Sequence, residues 1–183
     1  RLHETSYSRL RKPILKQQGV SPAQKGTANH LFFQFADFKK AQKDLSDEIS
    51  RLLKAEFITQ KQMEALDLEG ISSFLNSPLL SRLMSAKKSE REFSFFYEMP
   101  ADKLYPQAKG ESILLQGIAD CVFWEEDGLV LLDYKTDRLY SDQIISRYAP
   151  QLQIYKTALE ATLGEKVKEC LIYSLHLRET LEV

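Results

Sequence analysis

The chain has 183 residues, of which 43% are hydrophobic and 28% are charged, and its formal net charge is −1. This length fits one domain with a sizeable core, and the composition is that of a folded globular protein rather than a disordered one. No apolar run approaches the roughly 18 residues that a membrane-spanning helix requires, so we expect no membrane partner. The charge balance excludes a strongly basic nucleic-acid-binding protein. Nucleic acid could still bind to a local basic surface.

Residues 1–20 show no clear hydrophobic period and predict a linker or strap from the preceding part of a longer chain, as does the start at Arg1. No signal or transit peptide is recognisable. Basic residues are concentrated in this segment and in a second cluster formed by Arg82, Lys87, Lys88 and Arg91. Each cluster is either solvated surface or a surface that contacts phosphates.

Residues 21–183 predict a single domain that begins with a helical region over residues 21–85. Ser21 and Pro22 are typical of a helix start, and this helix is predicted to continue to about Phe38. Residues 41–84 keep a helical period and predict four short helices that cover a sheet. His30 lies at the edge of the apolar stripe of the first helix, where a histidine is either a packed core residue or a ligand.

Residues 86–183 predict a core that contains the strands. Residues 91–99 are aromatic and alternating and predict the first strand, with Phe93, Phe95 and Tyr97 on one face. Glu92 lies on the other face with Ser94 and Phe96, where it is expected to support the site without a ligand role. A loop over residues 100–110 leads to a hairpin over residues 116–135. A helix from about Ser141 follows, with a kink or restart at Pro150 and an end at Gly164, and residues 167–175 predict a last strand. Helices, three strands, a helix and a strand in this order indicate an α/β fold.

The hairpin places three ionisable side chains, Asp120, Asp133 and Lys135, within apolar strands. A four-residue turn over residues 125–128 pairs Trp124 with Leu129 and therefore puts Asp120 opposite Asp133. Any loop with an even number of residues keeps both carboxylates on one face, because side chains alternate with a period of two. Carboxylates roughly 4.5–5.5 Å apart repel by about 3–4 kcal/mol at an effective dielectric constant near 20, so a proton or a cation must lie between them.

Magnesium is the natural occupant of such a site. Mg²⁺ prefers oxygen ligands, and it commonly uses one or two carboxylates while water and phosphate fill its other positions. Lys135 leaves the strand on the same face as Asp133 and would direct its charge towards that phosphate. The alternative is that both aspartates lie at the rim of the sheet and that Lys135 is a strand-end charge. Cys121 and Cys170 lack metal-ligand spacing and predict small core residues, not an iron–sulfur cluster.

The hairpin with an aspartate on each arm, the Asp-x-Lys motif, the crossover helix and the last strand resemble the PD-(D/E)XK (restriction-endonuclease-like) nuclease core. Residues 116–120 (QGIAD), 133–137 (DYKTD) and 151–155 (QLQIY) resemble the RecB-type branch, and residues 26–30 (GTANH) resemble its histidine motif. More narrowly, residues 21–27 (SPAQKGT), 91–93 (REF) and the run through Arg138 resemble the C-terminal nuclease domains of the AddA (RexA) family of helicase–nuclease subunits. Four motifs in this order predict a central mixed sheet flanked by helices.

The resemblance implies roles for individual residues. It makes Asp120, Asp133 and Lys135 catalytic, and it implies a metal site for Mg²⁺, or for Mn²⁺ because a histidine nitrogen suits that ion as well. The implied ligands are His30, Asp120, Asp133 and the backbone carbonyl of Tyr134. It further implies that Gln151, Tyr155 and Thr136 line the site or contact DNA.

The resemblance also implies a biological setting. It predicts a Mg²⁺-dependent deoxyribonuclease of exonuclease type, which acts at DNA ends on single strands produced by helicase unwinding, in double-strand-break repair. The implied partner is the AddB (RexB) subunit, and the implied location is the bacterial cytoplasm. The sequence contains no Gly-rich ATP-binding loop, so ATP would serve only a helicase part outside it. The rival hypotheses are a nuclease-fold module that binds DNA or a partner without cutting, and a hydrolase of another phosphodiester.

Overall fold

The structure, a computed structural model, describes residues 20–103 and 105–183. The predicted linker over residues 1–20 lies outside the described residues except for Val20. A series of helices precedes the sheet: α1 (Pro22–Phe35), α2 (Phe38–Lys43), α3 (Leu45–Lys54), α4 (Gln60–Glu64), α5 (Leu68–Leu75) and α6 (Pro78–Ser85).

The first helix begins where the sequence predicts and ends earlier. Ser21 and Gln24 form a reciprocal capping box, with the Ser21 hydroxyl accepting from the Gln24 backbone N–H at 3.2 Å. The predicted continuation to Phe38 is wrong, because Asp37 caps a separate helix, α2, by accepting from the N–H groups of Lys39 and Lys40. The region therefore contains one more short helix than the four predicted after α1.

The mixed sheet confirms the predicted α/β class. Its strands are β1 (Lys88–Pro100), β2 (Ser112–Glu125), β3 (Gly128–Lys135), β4 (Val167–Ser174) and β5 (Glu179–Glu182), in that spatial order. Neighbouring strands are antiparallel except β3 and β4, which run parallel. The sequence did not predict β5, because four residues are too few for a period to show. A short 3₁₀ helix (Ala101–Lys103) occupies part of the predicted loop before β2.

Helix α7 (Ser141–Leu163) connects the two parallel strands. It is continuous through Pro150, so the predicted restart does not occur, and it ends at Gly164 as predicted, with φ +68° at that glycine. No helix in the described ranges is both long and apolar enough to cross a membrane.

The turn between β2 and β3 is shorter than predicted but keeps its parity. Trp124 pairs with Leu129 as predicted, and Glu125 also pairs with Gly128, so the loop holds two residues instead of four. Gly128 has φ +144°, a conformation that L side chains rarely adopt. Because two is also an even number, the hairpin keeps the predicted parity, but its last pair is Cys121 with Leu132, one step before Asp120 and Asp133.

Helices cover both faces of the sheet. Helices α1–α6 pack on one face, and the core between them and the sheet includes Phe33, Phe74, Cys121, Leu132 and Tyr134. Helix α7 packs on the other face, and the core there includes Phe95, Val122, Leu131, Leu159 and Ile172. The predicted burial of both cysteines is confirmed.

Candidate active site

The side chains of β1 change from one face of the sheet to the other at Glu92. Arg91 and Phe93 would share a face in a regular strand. In the structure the Arg91 guanidinium lies 3.9 Å from the centre of the Phe38 ring on the α1–α6 side, whereas Phe93 packs on the α7 side. Glu92 between them has φ +51°. This conformation costs a residue with a Cβ atom on the order of 1–2 kcal/mol, and such strain concentrates at functional sites.

Strand β2 turns over at the same level. Cys121 packs with the α1–α6 side and Ala119 with the α7 side, so the change of face falls at Asp120. The pairs on either side of this position leave Glu92 facing Asp120 across the two strands. Both carboxylates therefore lie where two adjacent strands reverse their faces together.

The sheet also divides at this level. Pairing between β2 and β3 ends at Cys121 and Leu132, and one further step in the same register reaches Asp120 and Asp133. Beyond that step β2 pairs with β1, and β3 pairs with β4. The Tyr134 backbone N–H donates to Asp120 Oδ2 at 2.8 Å and so bridges the division. We call this place the fork.

A group of possible metal ligands meets at the fork. His30 from α1, Glu92 and Asp120 each offer one ligand atom, and these atoms lie within 4.8 Å of one another. His30 Nδ1 is 3.3 Å from Asp120 Oδ1. One imidazole nitrogen with two carboxylates is a donor set that suits Mg²⁺ or Mn²⁺. We call these three residues the ligand group.

Asp133 and Lys135 lie beside the ligand group but pair with each other. Lys135 Nζ is 2.7 Å from Asp133 Oδ2, which makes the contact an ion pair. Apart from this ammonium group, the buried Oδ2 has no polar partner among the described residues. A buried carboxylate oxygen without a hydrogen bond is costly unless another charged or polar group binds it.

Burial and neighbouring charges change the pKa values of the groups at the fork. Burial raises the pKa of Asp133, and the charge of Asp120 raises it further, while Lys135 lowers it. Burial likewise raises the pKa of Glu92, with a further contribution from Asp120. Burial lowers the pKa of His30, but its contact with Asp120 outweighs this effect, and the net pKa lies above 6.5. A cation among these groups would relieve the repulsion.

Comparison with known proteins agrees with this arrangement. A family model described as the PD-(D/E)XK nuclease superfamily matches residues 4–181. The chain belongs to this superfamily. Its RecB-type and AddA-like motifs therefore lie within a confirmed nuclease-family domain.

The similar curated proteins are much longer than this member of the PD-(D/E)XK superfamily. An ATP-dependent helicase/nuclease subunit of Clostridium botulinum (strain Loch Maree / Type A3) is 39% identical over 174 residues, which are 90% of this chain and 14% of that protein. The protein of the same description from Ruminiclostridium cellulolyticum is 38% identical over 184 residues, covering 95% of this chain and 15% of that protein. The chain thus spans about one seventh of the length of these relatives.

In this PD-(D/E)XK domain, the remaining predicted site residues do not belong to the ligand group. Gln151 Nε2 donates to Tyr155 Oη at 3.3 Å, and the Tyr155 ring packs edge-on against Phe95 at 4.9 Å. Thr136 lines a groove of about 600 Å³ whose wall also includes Lys25 and Arg138. The roles of Gln151, Tyr155, Thr136 and the Tyr134 carbonyl remain predictions.

Two arginines of the predicted basic cluster have structural partners. Arg82 pairs with Glu125 at 2.8 Å and with Glu169 at 2.9 Å. Arg91 donates to the Ala36 carbonyl at 2.6 Å, close to the C-terminal end of α1. These guanidinium groups tie helices to the sheet, so both are already engaged by carboxylate or carbonyl oxygens.

The sequence predicted a supporting place for Glu92 at the site but no ligand role. The structure places it with His30 and Asp120 in the ligand group. The strand register contains one signal, because Glu92 on β1 lies opposite Asp120 on the neighbouring strand β2. The positive φ that brings the side chain to the fork leaves no signal in the sequence.

Proposed function

We propose that the chain is a metal-dependent deoxyribonuclease that hydrolyses phosphodiester bonds. The observation that carries this proposal is the fork, at which His30, Glu92 and Asp120 converge beside the Asp133–Lys135 pair. Membership of the PD-(D/E)XK nuclease superfamily supports the same reaction class.

The donor set fits one divalent cation, Mg²⁺ or Mn²⁺. His30, Glu92 and Asp120 would hold it, and the Asp133 carboxylate and the Tyr134 carbonyl would complete the protein ligands. This extends the ligand set predicted from sequence by Glu92. When bound, such an ion polarises the phosphate that is cut and lowers the pKa of a coordinated water.

The protein groups have separable tasks. Lys135 would neutralise the negative charge that develops on the phosphate in the transition state. Asp120 is held in place by the Tyr134 N–H, which leaves its Oδ1 directed towards His30. Gln151, Tyr155 and Thr136 would contact the DNA strand on either side of the bond that is cut.

The groove next to the fork supports a nucleic-acid substrate. Lys25 and Arg138 lie in its wall together with Thr136, which directly follows Lys135. The wall also includes Asp137, whose carboxylate is paired with Tyr148 and Arg147. Because that carboxylate is paired, the two cations still suit the phosphates of a single strand. We therefore place the DNA backbone in this groove, with the bond that is cut at the fork.

The biological setting is proposed from the relatives, which are named ATP-dependent helicase/nuclease subunits. In such a protein this domain would act as an exonuclease on single-stranded DNA that helicase unwinding releases from double-stranded ends, during double-strand-break repair. An AddB (RexB) subunit would be the partner, ATP would serve the helicase part, and the location would be the bacterial cytoplasm.

The test uses Asp133→Ala and Lys135→Ala, assayed on labelled single-stranded DNA with Mg²⁺ or Mn²⁺. We expect each change to lower the cleavage rate by about 10²–10³-fold, because each removes charge from the reacting centre. Lys54→Ala, on the exposed surface at the end of α3, is the matched control and should cleave at the unchanged rate.

Circular dichroism would verify that every variant is folded. Metal-dependent cleavage retained in Asp133→Ala or Lys135→Ala would overturn the assignment. DNA binding without cleavage by the unchanged chain, at every metal concentration tested, would favour the non-cutting module instead.

A further inference from the structure

The ammonium group of Lys135 lies on the face of an aromatic ring. Lys135 Nζ is 4.3 Å from the centre of the Tyr148 ring, and the lysine side chain is only 14% exposed. A cation this close to a ring face is attracted by the negative electrostatic potential of the ring, and the attraction strengthens when water is excluded. The contact joins the end of β3 to the first half of α7, two elements that are separated by the residues 136–140 in sequence.

The Tyr148 ring is itself held in place. Its hydroxyl donates to Asp137 Oδ2 at 2.8 Å, and Arg147 Nη1 lies 3.6 Å from Asp137 Oδ1. Burial raises the pKa of Tyr148 to about 12, and the hydrogen bond to Asp137 contributes to this rise. The hydroxyl therefore stays protonated at neutral pH and remains a donor, so the ring keeps one orientation.

We propose that Tyr148 is a positioning residue for Lys135, whose ring holds the ammonium group next to Asp133. This inference rests on the proposed nuclease function. Attraction to a ring face does not direct an N–H bond at one acceptor atom, so the N–H groups of Lys135 stay available for a phosphate oxygen or the attacking water. A carboxylate in the same place would compete for those donors.

The geometry explains why a ring is needed in addition to Asp133. Lys135 Nζ contacts Asp133 Oδ2 at 2.7 Å, but a single carboxylate contact at the end of a long side chain restricts its rotamers less than two contacts do. A free lysine side chain samples many rotamers, and catalysis requires the charge in one place. The ring on one side and the carboxylate on the other restrict Nζ to a small volume.

The kinetic test compares Tyr148→Phe, which keeps the ring, with Tyr148→Leu, which removes it and fills similar space. We expect Tyr148→Leu to lower kcat about tenfold and to leave KM for single-stranded DNA unchanged. Tyr148→Phe should recover most of this loss. Tyr140→Leu is the matched control, because Tyr140 precedes the same helix with its side chain exposed, and its kcat should not change.

A second measurement does not depend on activity. Protons of the Lys135 ε-methylene group should show an upfield ring-current shift by NMR in the unchanged chain and in Tyr148→Phe, and this shift should disappear in Tyr148→Leu. Loss of kcat together with loss of the shift supports the proposal. Equal losses in the Phe and Leu variants, or a Leu variant with unchanged kcat, would overturn it.

The two proposals fail in different ways. If the unchanged chain does not cleave DNA, the nuclease function is rejected, and Tyr148 then has no reaction to assist. If the unchanged chain cleaves but the ring-current shift is absent, the nuclease function stands and the positioning role is rejected.

Discussion

Replacing Glu92 with glutamine should stabilise the metal-free chain and weaken its binding of divalent metal. Glutamine keeps the shape of the side chain and removes its negative charge. In the absence of metal, Glu92 repels Asp120, and this repulsion contributes to the raised pKa of Glu92. In the presence of metal, the same carboxylate would bind the ion. The substitution should therefore raise the stability of the metal-free chain and lower its affinity for metal.

The magnitude follows from the separation in the ligand group. Two unit charges 4.8 Å apart repel by about 3.5 kcal/mol at an effective dielectric constant of 20. Glu92 is half-buried, and solvent together with His30 screens part of this energy, which leaves about 1–2 kcal/mol. For a chain of this size, that gain corresponds to a rise in Tm of about 2–8 °C without metal.

The effect on metal binding has the opposite sign. Loss of an outer-shell partner typically weakens a metal site 10–100-fold, so loss of a ligand should weaken it at least about tenfold. At a metal concentration of 100 times the original Kd, stabilisation by the metal then falls from about 2.7 to about 1.4 kcal/mol. Most of the stability gained without metal should therefore disappear once Mn²⁺ is added.

Differential scanning fluorimetry at pH 8 measures both effects. The Tm in EDTA reports the stability without metal, and the rise in Tm during a Mn²⁺ titration reports metal binding. Glu90→Gln is the matched control, because Glu90 lies on the same strand and pairs with Lys88 rather than with the ligand group. Its metal-induced shift should equal that of the unchanged chain. A lower metal-free Tm in Glu92→Gln, or an unchanged Mn²⁺ shift, would refute the reasoning and assign Glu92 to packing.

Three further predictions concern the framework of the site. Tyr134→Phe should be neutral or stabilising by up to about 1 kcal/mol in urea unfolding, because the buried Tyr134 hydroxyl has no hydrogen-bond partner among the described residues; a clear loss of stability would reveal a partner for it. Gly117→Ala should destabilise the chain by about 2 kcal/mol, because the new Cβ would lie 2.3 Å from the Phe95 ring, and adding Phe95→Leu should restore part of the loss if that contact is the cause. Hydrogen bonds from Arg82 lower the pKa of Glu125 from 4.5 to about 2. Because the pKa of Glu125 is lower in the folded state, the pair contributes its full stability above pH 4.5, and this contribution is lost as the pH falls towards 2. The loss should be about 1–2 kcal/mol, which allows for a Glu125 side chain that is 20% exposed. Acid unfolding of Glu125→Gln should lack this loss, and curves parallel to those of the unchanged chain would contradict it.

Local patterns in the sequence were sufficient for the elements that position the site. The hairpin, its even parity and the pairing of Trp124 with Leu129 follow from alternation and from an acidic turn that ends in glycine. The start of α1 and the end of α7 follow from a serine cap and a glycine. These features depend on neighbours in the chain, and the sequence therefore contains their full cause.

The arrangement at the fork depends on residues that are distant in sequence. The change of face at Glu92 and Asp120, the approach of His30 from α1 and the contact of Lys135 with Tyr148 arise only when helices pack on both faces of the sheet. A strand period predicts which side chains alternate, but it cannot predict a reversal that packing on both sides imposes. For this reason the sequence determined that two aspartates and a lysine share a hairpin. The tertiary structure decided that Glu92 lies close to His30 and Asp120 and that an aromatic ring contacts the lysine.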